Sequence, residues 1–231
     1  MTRIVHRALD LAGLKDMRRE FECLTGDGLA FGFAPSQIPF VISPLADVLN
    51  SLLHRHNAEG GTQMRLRMCI HVGPVPHTPG LPGDGNAAPR SETQRLLDSV
   101  PVRSVLTHAD ARATPLVLII SETVYRTVVV GGYCALPPAR FTEVRAEVTG
   151  KNFTQNAWIY VPSPSGKLLA SSAVSRSPLA NAPAEADDPA SGDSRSSAAR
   201  HQHVRFGVAV VDCTMRDLHH HTGHLPGPDR R

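Results

Sequence analysis

An α+β fold, with helices laid on a mainly antiparallel sheet, is what this sequence predicts, and three features carry the prediction. Residues 21–33 hold a hairpin signal centred on Asp27-Gly28. The stretch from Met64 alternates strictly between apolar and other residues. Pro115-Leu-Val-Leu-Ile-Ile-Ser121 is a short continuous apolar run of the kind that buried central strands show. Helix-period segments separate these strands, which is the pattern of an α+β layer.

The elements follow in order. Ile4, Ala8, Leu9, Leu11 and Ala12 fall at helical spacing, and Gly13 suits a C-terminal cap. Phe21, Cys23 and Thr25 alternate up to Asp27-Gly28, the dipeptide a type I′ turn prefers, and Leu29, Phe31 and Phe33 alternate away from it. Pro35, Pro39 and Pro44 mark a connector. Ser43-Pro44 can open a second helix, whose stripe of Leu45, Val48, Leu49, Leu52 and Leu53 runs to about His56. In the next strand Met64, Leu66, Met68, Ile70 and Val72 share one face, with Arg65, Arg67, Cys69 and His71 on the other, as expected of a half-buried strand. A Gly/Pro-rich loop at 73–89 leads to a helix from Arg90 to Val100. After the run at 115–121 come a helix over Glu122–Val130 with Ser121 as its N-cap, and strands over Phe141–Val148 and Ala157–Val161. The strand around Ile70 should pair with the hairpin, and the helices holding Leu49 and Leu96 should pack on one face.

At 231 residues the chain can hold one domain of roughly 150 residues with extra segments. Its net charge is only +3, and Arg outnumbers Lys 21 to 3 in a scattered pattern that suggests a GC-rich coding bias, so no nucleic-acid partner is expected. The four cysteines form no CxxC pair, and neither a signal pattern nor an apolar run of about 18 residues is present, which points to a cytoplasmic protein with reduced thiols and no membrane partner. Residues 163–203, rich in Ser, Ala, Pro and Asp, read as a disordered linker. Beyond it, 204–231 combine a strand-like Val204-Arg-Phe-Gly-Val-Ala-Val-Val-Asp212 with a tail containing His219-His-His221 and His224, which would bind metal only adventitiously.

The succession of Gly26-Asp27-Gly28 in a hairpin, the strand Arg65-Leu-Arg-Met-Cys-Ile-His-Val-Gly-Pro-Val75, a Gly83-Asp84 loop, the helical Arg95-Leu-Leu97 and the strand-to-helix step Leu118-Ile-Ile-Ser-Glu-Thr-Val-Tyr125 resembles the class III nucleotidyl (adenylate/guanylate) cyclase homology domain. The likeness is to its divergent actinobacterial versions and covers roughly residues 4–162, within a domain of 1–162. It implies a ferredoxin-like cyclase-type sheet whose first strand is missing ahead of the opening helix. It also implies two Mg²⁺ or Mn²⁺ ions held by paired aspartates, activating a 3′-hydroxyl and bridging the phosphates of ATP or GTP. Asp27 matches the hairpin aspartate. Cys23 stands where adenylyl cyclases place a base-reading lysine, and Asp84 matches the second base-reading position. Arg95 matches the transition-state arginine, and Ser91 replaces the asparagine one turn earlier. The strand ending in Asp212 is similar to the missing first strand, so Asp212 would restore the metal pair, in cis or from the other chain of a homodimer.

Each match also has a plainer role. Asp27 and Asp84 suit turns, Cys23 a core, Arg95 a solvated helix face, and residues 204–212 a stray strand. The altered positions favour a degenerate cyclase-like module that binds a nucleotide or a protein partner for signalling and does not catalyse. An active cyclase, or a fragment of one, is the alternative.

Overall fold

The computed structural model describes residues 1–25, 28–60, 62–76, 88–174 and 204–215. Seven helices carry the chain between strands: α1 (Thr2–Leu11), α2 (Ile38–Ile42), α3 (Leu45–Ala58), α4 (Ala88–Leu97), α5 (Val100–His108), α6 (Glu122–Val124, continued as a π-turn over Tyr125–Val130) and α7 (Gly166–Val174). The strands are β1 (Glu20–Thr25), β2 (Gly28–Phe33), β3 (Leu66–Pro76), β4 (Leu116–Ser121), β5 (Thr142–Glu147), β6 (Thr154–Tyr160) and β7 (Val204–Met215). They form one sheet in the order β1-β2-β7-β3-β4-β6-β5.

The described structure is therefore α+β with a mixed sheet. Only β3 and β4 run parallel, joined by the crossover through α4 and α5, and the other neighbours are antiparallel. The last strand in the chain joins the hairpin β1-β2 to the mixed group β3-β4-β6-β5. It pairs with β2 from Gly28↔Thr214 to Phe33↔Ala209 and with β3 from Leu66↔Met215 to Pro76↔Val204. The expected direct pairing of the Ile70 strand with the hairpin does not occur, because β7 lies between them.

The local sequence explains most elements. Val5, Ala8 and Leu9 form the buried side of α1, and Gly13, at φ 75°, ends it. A left-handed conformation of this kind costs glycine little. The hairpin strands form, but Gly28 pairs with Thr25, so Gly28 belongs to β2 and not to the turn. A bulge between Glu20 and Cys23, with Phe21 at φ 48°, breaks the alternation of β1. Part of the proline-marked connector is helical, as α2. Ser121 does precede α6, yet its hydroxyl makes no capping bond.

Two apolar clusters sandwich the sheet. On one face Leu29, Phe31, Phe33, Leu66, Met68, Ile70, Leu118 and Ile120 pack against α1, α2 and α3. On the other, Cys69, Val117, Ile119 and Ile159 pack against Leu96 and Leu97 of α4 and Val102 and Leu106 of α5. Leu49 and Leu96 thus belong to opposite layers, not one. The continuous run of β4 requires this arrangement, since burying a Leu or Ile side chain contributes about 1.5–3 kcal/mol and β4 presents such side chains on both faces.

The second layer also changes the status of β3. Its Arg65, Cys69 and His71 are buried, so the strand is covered on both sides. Arg65 donates from Nε to Thr114 O at 3.1 Å and from Nη1 to Leu106 O at 2.6 Å.

The ordered chain continues past residue 162. Asn50 Nδ2 donates to Ser163 Oγ at 2.8 Å, Thr114 Oγ1 donates to Ser163 O at 2.8 Å, and Ser165 N donates to Thr114 Oγ1 at 3.0 Å. These bonds lead directly into α7, where low apolar content had indicated a linker. The rest of that linker, 175–203, and the histidine tail lie outside the described residues.

Candidate site along the hairpin row

The sheet register sets the candidate residues in relation to one another. Cys23 pairs with Ala30, Ala30 with Asp212, Asp212 with Cys69, and Cys69 with Ile119. Cys23, Ala30, Asp212 and Cys69 thus occupy one row across four adjacent strands, at about 4.8 Å per strand. The face of this row that carries Cys69 is the one covered by α4.

Cys23 is tied to that helix. The guanidinium of Arg90, in the first turn of α4, donates from Nη2 to Cys23 Sγ. Glu22, one residue earlier, departs on the other side, where its carboxylate accepts from Arg19 Nε at 2.7 Å and meets His6 Nε2 at 3.1 Å. Burial raises the Glu22 carboxyl, but the bonds from Arg19 and His6 outweigh it and hold the group below its ordinary value. A lysine at position 23 would stand beside Arg90 as a like charge, whereas the thiol accepts from it.

The remaining matched positions scatter. Arg95 is exposed and lies 5.7 Å from the Phe153 ring centroid in a cation–π contact, which carries it toward the β6 side of α4, away from the hairpin. Ser91 is exposed. Asp27 and Asp84 lie outside the described residues. Arg90 was not singled out from sequence, and only its place at the start of a helix facing the hairpin strand could have marked it.

Beside the row, His71 Nε2 sits 3.2 Å from Glu92 Oε2 of α4, and its Nδ1 is buried with no hydrogen-bond partner among the described residues. Just past the end of α4, Asp98 accepts from Arg67 Nη1 at 2.9 Å and Arg103 Nη2 at 3.1 Å. Burial pushes the Asp98 carboxyl up, and the bonds from Arg103 and Arg67 more than reverse it, leaving the group below its usual value. These pairs clamp α4 to β3. Gly73 completes the contact, since a Cβ there would lie 2.8 Å from Pro89 Cβ.

Burial lowers the affinity of His71 for a proton, and the Glu92 carboxylate restores part of it. An unfolded chain takes up that proton near pH 6.5, while the folded chain does so only at lower pH. Protons therefore favour the unfolded state in that window, and stability present above it declines as pH falls through it. His71→Asn should flatten the dependence of the urea midpoint on pH as pH falls below 6.5. An unchanged slope would show that His71 does not supply it.

A two-metal site needs two carboxylates meeting at one place. Gly28, the residue after Asp27, pairs with Thr214, whereas Asp212 pairs with Ala30, two positions beyond Gly28 and so about 7 Å along the strand. In this register Asp212 stands opposite Ala30 and not opposite the strand end that leads to Asp27. Among the described residues no cluster of three or more His, Cys, Asp or Glu could hold a metal ion. No helix among them is long and apolar enough to cross a membrane.

No protein-family model, curated protein or solved structure matches this chain.

Proposed function

We propose that this chain is a degenerate nucleotidyl cyclase-like module that regulates by binding a nucleoside triphosphate or a protein partner and does not catalyse. The observation that supports this reading is the position of β7. A ferredoxin-like sheet places its first strand between the second strand of its hairpin and the strand that follows, and the order β1-β2-β7-β3 puts the carboxyl-terminal strand there. The place of that first strand is thus taken by a strand that follows the others in sequence and includes Asp212.

The register argues against turnover. Asp212 would come opposite position 27 only after β7 slipped by three residues along β2, an odd shift that would turn every β7 side chain to the other face. Arg95 engages Phe153, and serine at position 91 is too short to replace an asparagine at a developing charge. Active cyclisation is the second reading, and it would need that three-residue slip.

Purified full-length protein with Mn²⁺ and ATP or GTP should form cyclic nucleotide no faster than a blank. Asp27→Ala and Asp212→Ala are the controls. Activity abolished by either substitution would replace the degenerate reading with an active enzyme whose β7 completes the metal pair. Activity lost in Asp27→Ala alone would make it active without β7.

A further inference from the structure

Across the sheet from α4, a cavity of about 320 Å³ opens between α1 and the end of α3. Arg3 and Arg7 of α1 and Arg55 of α3 line it, Ile4 and Leu52 give it an apolar side, and Glu59 is the one carboxylate among its lining residues. Among the described residues, no side-chain hydrogen bond or ion pair engages Arg3, Arg7 or Arg55. Three guanidiniums against one carboxylate leave a net charge of +2 around a space at the small end of ligand-binding volumes.

Helix stability does not account for this arrangement. Arg3 stands in the first turn of α1, where the helix dipole disfavours a cation, and that turn has no acidic residue. Arg7 repeats the positive charge one turn later on the same side, a like-charge i,i+4 pair that weakens an isolated helix. Arg55 in the last turn of α3 does suit its own dipole, yet its side chain also reaches the cavity that the other two share. Two unfavourable placements converging on a third cation leave an anion as the missing partner.

We propose that this cleft binds a small phosphorylated anion. Guanidinium groups pair with phosphate oxygens through two parallel N–H donors, and three of them around one cavity suit a dianionic phosphate or a diphosphate better than a single carboxylate. Ile4 and Leu52 would accept a short apolar body attached to that phosphate. The site is separate from the hairpin row and does not depend on the cyclase-like reading, since none of its residues belongs to that row.

Calorimetric titration of the full-length protein with inorganic phosphate, pyrophosphate and a glutamate-rich peptide tests the assignment. Saturable binding of phosphate or pyrophosphate is expected, with Arg7→Gln and Arg55→Gln each weakening it about tenfold. Arg126→Gln, which alters an exposed pair with Glu122 far along the chain, should bind as the parent does. Circular dichroism of each exposed-site variant confirms that the fold persists. Stronger binding by phosphate than by pyrophosphate would assign a monoester, and the reverse a diphosphate. No saturable binding of either anion, equal binding by the arginine variants, or tighter binding of the acidic peptide would overturn the proposal.

Discussion

A chain ending at residue 203 should lose its cooperative unfolding transition, because the deletion removes a central strand and not a tail. β7 pairs with six residues of β2 and ten of β3. Without it both strands present unpaired N–H and C=O groups toward an empty slot, which favours aggregation. Ending the chain at residue 215 retains the strand and should leave the urea midpoint unchanged. Val210→Pro is the finer test, since proline cannot donate to a ladder and is tolerated in sheets mainly at edges. It should cost at least about 3 kcal/mol by urea denaturation. A synthetic peptide spanning 204–215 should restore the near-ultraviolet signal of the shortened chain. Equal midpoints for chains ending at 203 and 215 would show that β7 does not occupy the sheet.

Replacing Arg65 by alanine should destabilise the fold by about 3 kcal/mol, a large effect for a residue whose alternation suggests a polar strand face. The guanidinium is 3% exposed and supplies donors to two buried carbonyls, Thr114 O before β4 and Leu106 O near the end of α5. Each carbonyl left without a partner in the interior costs about 1–3 kcal/mol. Arg65→Lys should recover only part of the loss, because a single ammonium cannot reproduce the fork that reaches both acceptors. Arg126→Ala, removing an exposed i,i+4 pair with Glu122, should stay within about 0.5 kcal/mol. If Arg65→Ala unfolds at the parental urea concentration, its two bonds do not hold α5 and β4 together.

These two residues also show where sequence periodicity stops being informative. Alternation correctly separates Leu66, Met68 and Ile70 from Arg65, Arg67 and His71, because side chains on a strand must leave on opposite faces. It cannot say what covers each face. That depended on α4 and on α5, which opens with Ser99 at its N-cap and Pro101 in its first turn. The hairpin turn shows a similar limit. Asp27-Gly28 reads as the turn pair, but the pairing of Thr25 with Gly28 places Gly28 in β2.

Among the candidate site residues, the cyclase resemblance singled out Cys23 and Arg95, but not the direction in which either would reach. Cys23 meets Arg90 because β1 and the start of α4 converge in space across 67 positions of sequence, and Arg95 turns to Phe153 because that ring borders the second cluster.

What the sequence determined by itself was local: the helix of α1 ending near Gly13, the stripe of α3, the apolar run of β4, and the hairpin. Each rests on interactions between residues close in the chain, or on a face pattern that any partner could satisfy. Tertiary structure alone decided the neighbours of each strand, above all the insertion of β7 between β2 and β3. A strand's composition records that it will be buried, but its hydrogen bonds are made by backbone groups common to all residues, so the identity and register of its partners emerge only when the sheet assembles.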